Sequence, residues 1–431
     1  MDWRYILLIF FMVPLIEAGM AIIGTLHSHN HYKSAPWKFS RAIIQITTVG
    51  KEADLIRQTI KTVRGYDLKF PYEIWVVNEP GFDNDYPLAD RVITVPADFE
   101  CKPINKARAL EFSRRIRAAE GFNRADVKII LMDDDSIPTR EYFQLAFQGD
   151  YDLCQGATVA NRYYAQVNWK HAVLSHVDNI RVRNCMIYCS FTQGVTTKPL
   201  FVHGEGLTMT GLVEDKITWD HPIIASDDLV FGTRAAAEGF SWGYFNAAIQ
   251  IISPWTFTEA WKQRKRWTWG NISAIISRDI LPLSVAIPKA LKYAVGAVSI
   301  FTSTIGAALL YTGVIEVPPA VHDVYRVSLI CWFASYGVAA WVNTSGVANR
   351  SRFYKPVTEE TPGRGRHSGP PLQPLSAIRY YGWRLLQSAI GTITCPLVSA
   401  VPVFIILSSL LTGKPKSFIM IDKTIPGLVE A

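Results

Sequence analysis

The chain has 431 residues, enough for two or three domains. With 49% hydrophobic and 19% charged residues and a mean hydropathy of +0.12, it is too apolar for a wholly soluble protein and too polar for one wholly inside a membrane. The formal net charge is +7, but the Lys and Arg residues flank apolar segments, where anionic membrane lipids attract them. No nucleic acid is expected as a partner.

Four segments have the roughly 20 mostly apolar residues that a membrane-spanning helix needs: 5–26, 290–315, 325–347 and 386–411. The first has no basic leader beyond Arg4 and no small-residue cleavage site, so residues 1–27 read as a retained anchor. Basic flanks mark the cytosolic side. Lys33, Lys38 and Arg41 follow the first segment, and Lys289 and Lys292 precede the second. Arg350, Arg352, Lys355, Arg364, Arg366, Arg379 and Arg384 lie in the 348–385 connection, whereas 316–324 holds Glu316 and Asp323 and no Lys or Arg. The expected topology puts 28–289 in the cytosol and both termini outside. Glu17 lies within the first segment, and the later ones carry no ionisable residue deep inside, unlike a transport pathway.

The expected units are the anchor, a cytosolic α/β region (28–255), an amphipathic interfacial region (256–289) and the remaining membrane helices (290–431). In the α/β region the strand candidates are Ala42–Val49, Tyr72–Asn78 and Val127–Met132, and the helix candidates are Ala53–Val63 and Ile104–Ala118. Short apolar strands separated by helices predict a parallel sheet covered on both faces. Such sheets bind ligands at the carboxyl ends of their strands. Arg350–Ser376 is rich in Pro, Gly and Arg and reads as a flexible cytosolic loop. Cys101, Cys154, Cys185, Cys189, Cys331 and Cys395 form no paired framework, which fits a reducing compartment. Cys185 and Cys189 would share a helix face, but a metal site there lacks a second pair of ligands.

The strand candidate VKIILM runs directly into Asp133, Asp134, Asp135 and Ser136. If strand geometry continued, Asp133 and Asp135 would point to one side, as hard oxygen ligands for Mg²⁺ or Mn²⁺. The other reading is a solvated acidic turn ahead of the next helix. Asp227 and Asp228 open the helix pattern Leu229–Glu238, either as cap and dipole partners or as a pair in which one carboxylate becomes a general base. Gln263–Trp267 (QRKRW) lies in an amphipathic stretch with Trp261 and Trp269. It reads as an interfacial anchor, or as a place where Arg266 holds a diphosphate. His203-Gly204-Glu205-Gly206 is either an ordinary turn or a close backbone approach to a ligand. The run His27-Ser28-His29-Asn30-His31 reads as a polar cap at the membrane edge rather than a metal site.

Taken in order, the acidic strand end, the Gly loop, the acidic pair and Gln-x-x-Arg-Trp ahead of an apolar helix resemble the membrane-integrated family 2 glycosyltransferases. The resemblance runs from Ile43 to about Ile276. Within that group the chain is similar to the egghead-type β-1,4-mannosyltransferases, on TKPLF (Thr197–Phe201), SDDLVFGTRA (Ser226–Ala235), SPWTFTEAWKQRKRWTWG (Ser253–Gly270) and the tail LTGKPKSFIMIDK from Leu411.

The resemblance implies a GT-A fold, Rossmann-like and α/β, and an inverting single displacement. It implies Mn²⁺ or Mg²⁺ at Asp133 and Asp135, with Asp228 as the base and Asp227 beside it. Thr47, Glu79, Lys106 and Asp133 fall where the family holds the nucleotide-sugar. Gln263, Arg266 and Trp267 match the element that closes over diphosphate and acceptor, and His203, Gly204 and Glu205 are expected with Trp267 against the acceptor. Glu79, after Asn78, stands where the family usually has Asp, and Asp227 where Glu is more usual. The expected donor is GDP-mannose and the expected acceptor a lipid-linked glycolipid at the cytosolic face of the plasma membrane or of the ER and Golgi. The alternative is a processive polysaccharide synthase using a UDP-sugar, for which four spans are few. A transporter is disfavoured by the lack of ionisable residues deep in the later spans, and a scaffold whose transferase region is inactive by the full set of acidic positions.

Overall fold

The computed structural model describes residues 5, 7–31, 38–160, 169–222, 225–277, 280–343 and 401–412, with short helical pieces between 381 and 393. The expected 348–385 loop lies almost wholly outside the described residues, as does the LTGKPKSFIMIDK tail beyond Thr412. Two helices come first, α1 (Leu7–Phe11) and α2 (Val13–His31). The α/β region begins as β1 (Arg41–Thr48), α3 (Ala53–Arg64), β2 (Tyr72–Asn78), β3 (Arg91–Thr94), α4 (Lys106–Ala119) and β4 (Val127–Asp133). It continues as β5 (Ile137–Pro138), α5 (Arg140–Gln148), β6 (Leu153–Ala160), α6 (Trp169–Val177), α7 (Asn179–Asn184) and a π-helix (Cys185–Val195). After these come β7 (Thr208–Thr210), α8 (Gly211–Ile217), α9 (Asp227–Ala237), β8 (Trp242–Ile251) and α10 (Phe257–Ile276). The last helices are α11 (Leu283–Tyr311), α12 (Pro319–Asn343) and α13 (Val401–Thr412).

The strands form one eight-stranded sheet in the order β3-β2-β1-β4-β7-β6-β8-β5. Its first half, β3-β2-β1-β4, is parallel as expected. The second half departs from the expectation: β7 inserts antiparallel between β4 and β6, and β5 adds antiparallel to β8, so the α/β fold rests on a mixed sheet. Side chains of successive strand residues alternate between two cores. Ile43, Trp75, Val77, Ile129 and Leu131 pack under α4, α8 and α9, while Ile44, Ile46, Ile74, Val76 and Ile130 pack under α3 and α5. Burial on both faces is why β1, β2 and β4 read as nearly continuous apolar runs.

A buried ion pair fastens the helices on the first face. Arg117 of α4 donates to both carboxylate oxygens of Glu214 on α8, at 2.9 and 2.6 Å, and both side chains are 2% exposed. Trp219 Nε1 also donates to Glu214 at 3.0 Å, and Arg117 donates to Gln45 of β1. This fixes α4, whose first residue is Lys106. At the start of α10, Thr256 accepts from Glu259 N at 3.2 Å.

Helices form where spans are expected. The polar run after the first apolar segment continues α2 to His31, with Ser28 Oγ donating to Gly24 O at 2.8 Å. Among the described residues, no helix is long and apolar enough to cross a membrane. Glu17 lies in α2, and Asp323 and Arg326 lie in the first turns of α12.

Candidate active site

The carboxyl ends of three parallel strands meet at one edge, where Thr47 pairs in register with Val77 and with Asp133, and Thr48 with Asn78. They open onto a cavity of about 670 Å³. Thr47, Glu79, Lys106 and Asp133, the residues expected at the nucleotide, all line it. So do His203, Gly204 and Glu205, the pair Asp227 and Asp228, and Gln263, Arg266 and Trp267. These expected site residues, from Thr47 to Trp267, thus share one chamber although the outermost lie 220 positions apart in sequence.

Asp135 departs from its expected position. β4 ends at Asp133 and the chain turns at once, with Ser136 N donating to Asp133 O at 3.1 Å, so strand alternation does not continue. Asp134 lines the cavity and accepts from Thr48 Oγ1 at 3.1 Å. Asp135 is 1% exposed and accepts from Ile252 N at 3.3 Å, behind the cavity wall.

Lys106, the first residue of α4, reaches across to form an ion pair with Asp133. Burial opposes its charge, but Asp133 and Asp227 outweigh burial and hold its pKa above the usual lysine range. Glu79 pairs with Arg108 at 2.6 Å through one oxygen. Its other oxygen is buried and makes no hydrogen bond among the described residues.

The acidic pair sits on a tight turn. Ser226, the residue before α9, has φ 66° and ψ 35°, a left-handed conformation unusual for a residue with a side chain. It aims the first turn of α9 into the cavity, and Asp228 Oδ1 accepts from Leu229 N at 2.9 Å. Burial first, then the neighbouring charge of Asp227, push the Asp228 carboxyl up to about 7 against the pull of Lys106. Burial also raises Asp227, whose Oδ2 is buried and accepts no hydrogen bond among the described residues. A carboxylate that titrates near neutrality is suited to accept a proton there. A base at this position would act in its ionised form, so with Asp228 in that role kcat/KM is expected to fall as pH drops through about 7 and to level off above it. A pH–rate profile flat from about 5 to 9 would remove Asp228 from that role.

The loop after the π-helix closes over this pair. A Cβ on Gly204 would lie 2.5 Å from Lys106 Nζ and 3.8 Å from Asp228 Oδ2, so the backbone there rests against both groups. Gly206 has φ +74°, and a Cβ there would run into the phenol of Tyr142. Glu205 meets Arg181 at 3.2 Å. Although burial disfavours its charge, Arg181 and His203 hold it well below the usual carboxylate range. His203 is raised to about 9 by Cys185 and Glu205 despite burial. Its Nε2 lies 3.7 Å from Cys185 Sγ, and with Cys189 these ligand atoms all fall within 4.8 Å of one another. The third group that the cysteine pair lacks in sequence is therefore His203.

α10 forms the remaining wall. Gln263 is buried, and its Oε1 makes no hydrogen bond among the described residues. Arg181 and Arg264 lie over the Trp267 ring at 4.4 and 4.7 Å, and Arg264 pairs with Asp178. Arg266 faces Asp133 and Asp227, whose charges offset the burial that lowers its pKa. A Cβ on Gly270 would lie 2.6 Å from Ser226 Oγ and 2.9 Å from Ala225 Cβ, so α10 packs directly on the turn that carries the acidic pair.

Sequence reading missed Arg181, which sits in a short helix with no motif, and the pairing of Arg183 with Glu17. The one signal for the latter was an isolated acid in an apolar segment.

A mixed α/β sheet whose strand ends meet an acidic pair and a basic aromatic helix has the architecture of a GT-A-like glycosyltransferase. The sequence profile of glycosyl transferase family group 2 matches residues 128–343, and the chain belongs to that family. The chain is 24% identical over 261 residues to the β-1,4-mannosyltransferase egh of Drosophila melanogaster, covering 58% of this chain and 56% of that one. It is 23% identical over 291 residues to the β-1,4-mannosyltransferase bre-3 of Caenorhabditis elegans, covering 64% and 62%. The matches thus span less than two thirds of either relative. A solved structure, the mannosyltransferase PcManGT from Pyrobaculum calidifontis in complex with GDP-Man and Mn²⁺, is similar at a TM-score of 0.41 and 16% identity, over 81% of this chain and 99% of that one.

Proposed function

We propose that this chain is an inverting glycosyltransferase that moves mannose from GDP-mannose, in β linkage, to a lipid-linked acceptor at the cytosolic face of a membrane. The observation that carries this reading is the meeting, in one cavity, of Asp228, pushed up to about 7, with the cations Lys106 and Arg266. A base and a cationic cradle are what displacement of a diphosphate by a hydroxyl requires. The two mannosyltransferase relatives support the choice of sugar.

In this reading the acceptor hydroxyl gives its proton to Asp228 as its oxygen bonds to the anomeric carbon. The bond from that carbon to the diphosphate breaks on the opposite face, inverting the configuration. Lys106 and Arg266 take up the charge on the departing diphosphate. Glu79, one of whose oxygens is buried and makes no hydrogen bond among the described residues, is placed to receive donor groups of the nucleotide. Gln263 offers a second such acceptor, and Trp267 a ring stiffened by two guanidinium groups.

The donor set fits Mn²⁺ or Mg²⁺. Asp133 presents a hard carboxylate to the cavity, and Asp227 Oδ2 is a buried acceptor with no hydrogen bond among the described residues. Asp133 would hold the ion, and Asp134, the next carboxylate along the turn, also lines the cavity, whereas the expected second ligand Asp135 does not. The ion would supply neutralising charge at the leaving diphosphate.

Support for a lipid acceptor comes from the far wall of the same cavity, where Val13, Trp332, Tyr336 and Ile406 bring helices α2, α12 and α13 to the chamber. The outer faces of these helices and of α11 expose Ile16, Ile22, Leu291, Ile330 and Leu411. Such exposed apolar surface suits contact with a membrane.

The test is to incubate the full chain with Mn²⁺, a membrane-lipid extract and a panel of nucleotide-sugars, and to measure released nucleoside diphosphate. Selective release of GDP from GDP-mannose is expected. Release from a UDP-sugar alone would overturn the donor and favour the polysaccharide-synthase alternative.

A further inference from the structure

The proposed reaction leaves part of the cavity unused. Beyond Gly204 and Asp228 the chamber continues between α2, the π-helix and α11, where Glu17, Arg183, Tyr188, Lys289 and Lys292 line it. Glu17 is the one carboxylate in this group, and it is taken up by Arg183 and the Tyr188 hydroxyl. Lys289 and Lys292, three residues apart on α11, form no ion pair with a carboxylate among the described residues. Lys289 Nζ donates to Leu200 O at 2.6 Å. Lys292 Nζ lies over the rings of Phe201, at 3.8 Å, and Tyr188, at 4.5 Å.

Ordinary membrane-flanking lysines extend their ammonium groups outward, to headgroups and water. Here the arrangement is reversed. Ile287 and Leu291, on the outer face of α11, are each 62% exposed, while Lys289 is 1% exposed and turned to the cavity. Asp228 acts on Lys289 and Glu17 on Lys292 only from beyond ion-pair distance, and two ammonium groups drawn inward with no carboxylate paired to them among the described residues are costly unless an anion joins them.

We propose that Lys289 and Lys292 receive the phosphate of a lipid-phosphate acceptor, in the same cavity as Asp228. This rests on the glycosyl-transfer reading and narrows its acceptor from a lipid-linked sugar in general to one joined to its lipid by phosphate, or to a lipid phosphate itself. The aromatic rings of Tyr188 and Phe201 flank the phosphate position, and the apolar side chains of α12 and α13 take the chain beyond it.

The experiment uses the full chain in nonionic detergent with GDP-mannose and three acceptors: a neutral monoglycosyl lipid, the same sugar linked through phosphate to the same lipid, and the lipid phosphate alone. Transfer to at least one phosphate-bearing lipid is expected at a KM about tenfold or more below that for the neutral glycolipid, the effect of one charge-assisted contact. Which of the two is used identifies the source of the phosphate. Changing both residues, Lys289→Gln with Lys292→Gln, should remove the preference, and Lys289→Arg with Lys292→Arg should keep most of it and control for folding. An equal KM for neutral and charged lipids, or a preference that survives the Gln pair, overturns the proposal.

Direct binding of both phosphate lipids to the Asp228→Asn protein, without donor, separates the two readings. If no donor releases diphosphate, the transfer reading fails, while tight lipid-phosphate binding that depends on the two lysines still upholds this one. Binding should persist in about 0.5 M salt, because an enclosed pair is screened far less than a surface patch. Binding lost at that salt in wild type would mark general headgroup attraction and overturn the assignment.

Discussion

Replacing Asp228 with Asn is expected to lower kcat for sugar transfer by about 10²–10⁴-fold, with the fold and donor affinity retained. The amide can still accept from Leu229 N through Oδ1, so the first turn of α9 keeps its contact. What is lost is the ability to take a proton. Ionisation of Asp228 is opposed first by burial and then by Asp227, so the neutral amide relieves a repulsion instead of leaving a charge unpaired. Thermal stability should therefore hold or rise while turnover collapses. Single-turnover rates beside a melting curve decide the matter, and a variant within tenfold of wild type would show that another group accepts the proton.

The second large effect concerns stability. Arg117→Met should cost about 3–5 kcal/mol, because it strands the Glu214 carboxylate at 2% exposure. For a region of this size that corresponds to a fall of roughly 10 °C in Tm. Adding Glu214→Leu should restore much of the loss, since an apolar pair in place of a buried ion pair is often neutral. A double variant no more stable than Arg117→Met alone would mean that contacts to Gln45 or Trp219, and not the uncompensated charge, set the cost. The effect reaches the chemistry as well, because the same helix begins with Lys106.

The parallel half of the fold was legible because its strands are buried on both faces. Val127–Asp133 and Tyr72–Asn78 present unbroken apolar stretches, and α3 presents a helical stripe. The other half was not. β6 (LCQGATVA) mixes Gln, Gly and Thr among small residues, and β7 is three residues long, so neither has a pattern that stands apart from a loop. The π-helix was equally hidden, since its residues have the composition of any buried helix. Within the site, motifs located Asp133, Asp228 and Arg266, because each sits in a local pattern. Asp135 lies off the cavity lining because the alternation rule stops where the strand turns, at Ser136. Arg181 and the inward lysines are visible only once distant segments meet, and no local rule carries that information.

The packing of Gly270 against Ser226 has a mechanical consequence. Where a methyl group would collide, α10 rests directly on Ala225 and Ser226, so it cannot press closer to the turn before Asp227 without displacing it. The guanidinium of Arg266 and the carboxylate of Asp228 thus stand on two segments in direct contact at Gly270. In the proposed reaction, a tilt of α10 toward that turn would move the group that grips the diphosphate and the proton acceptor together.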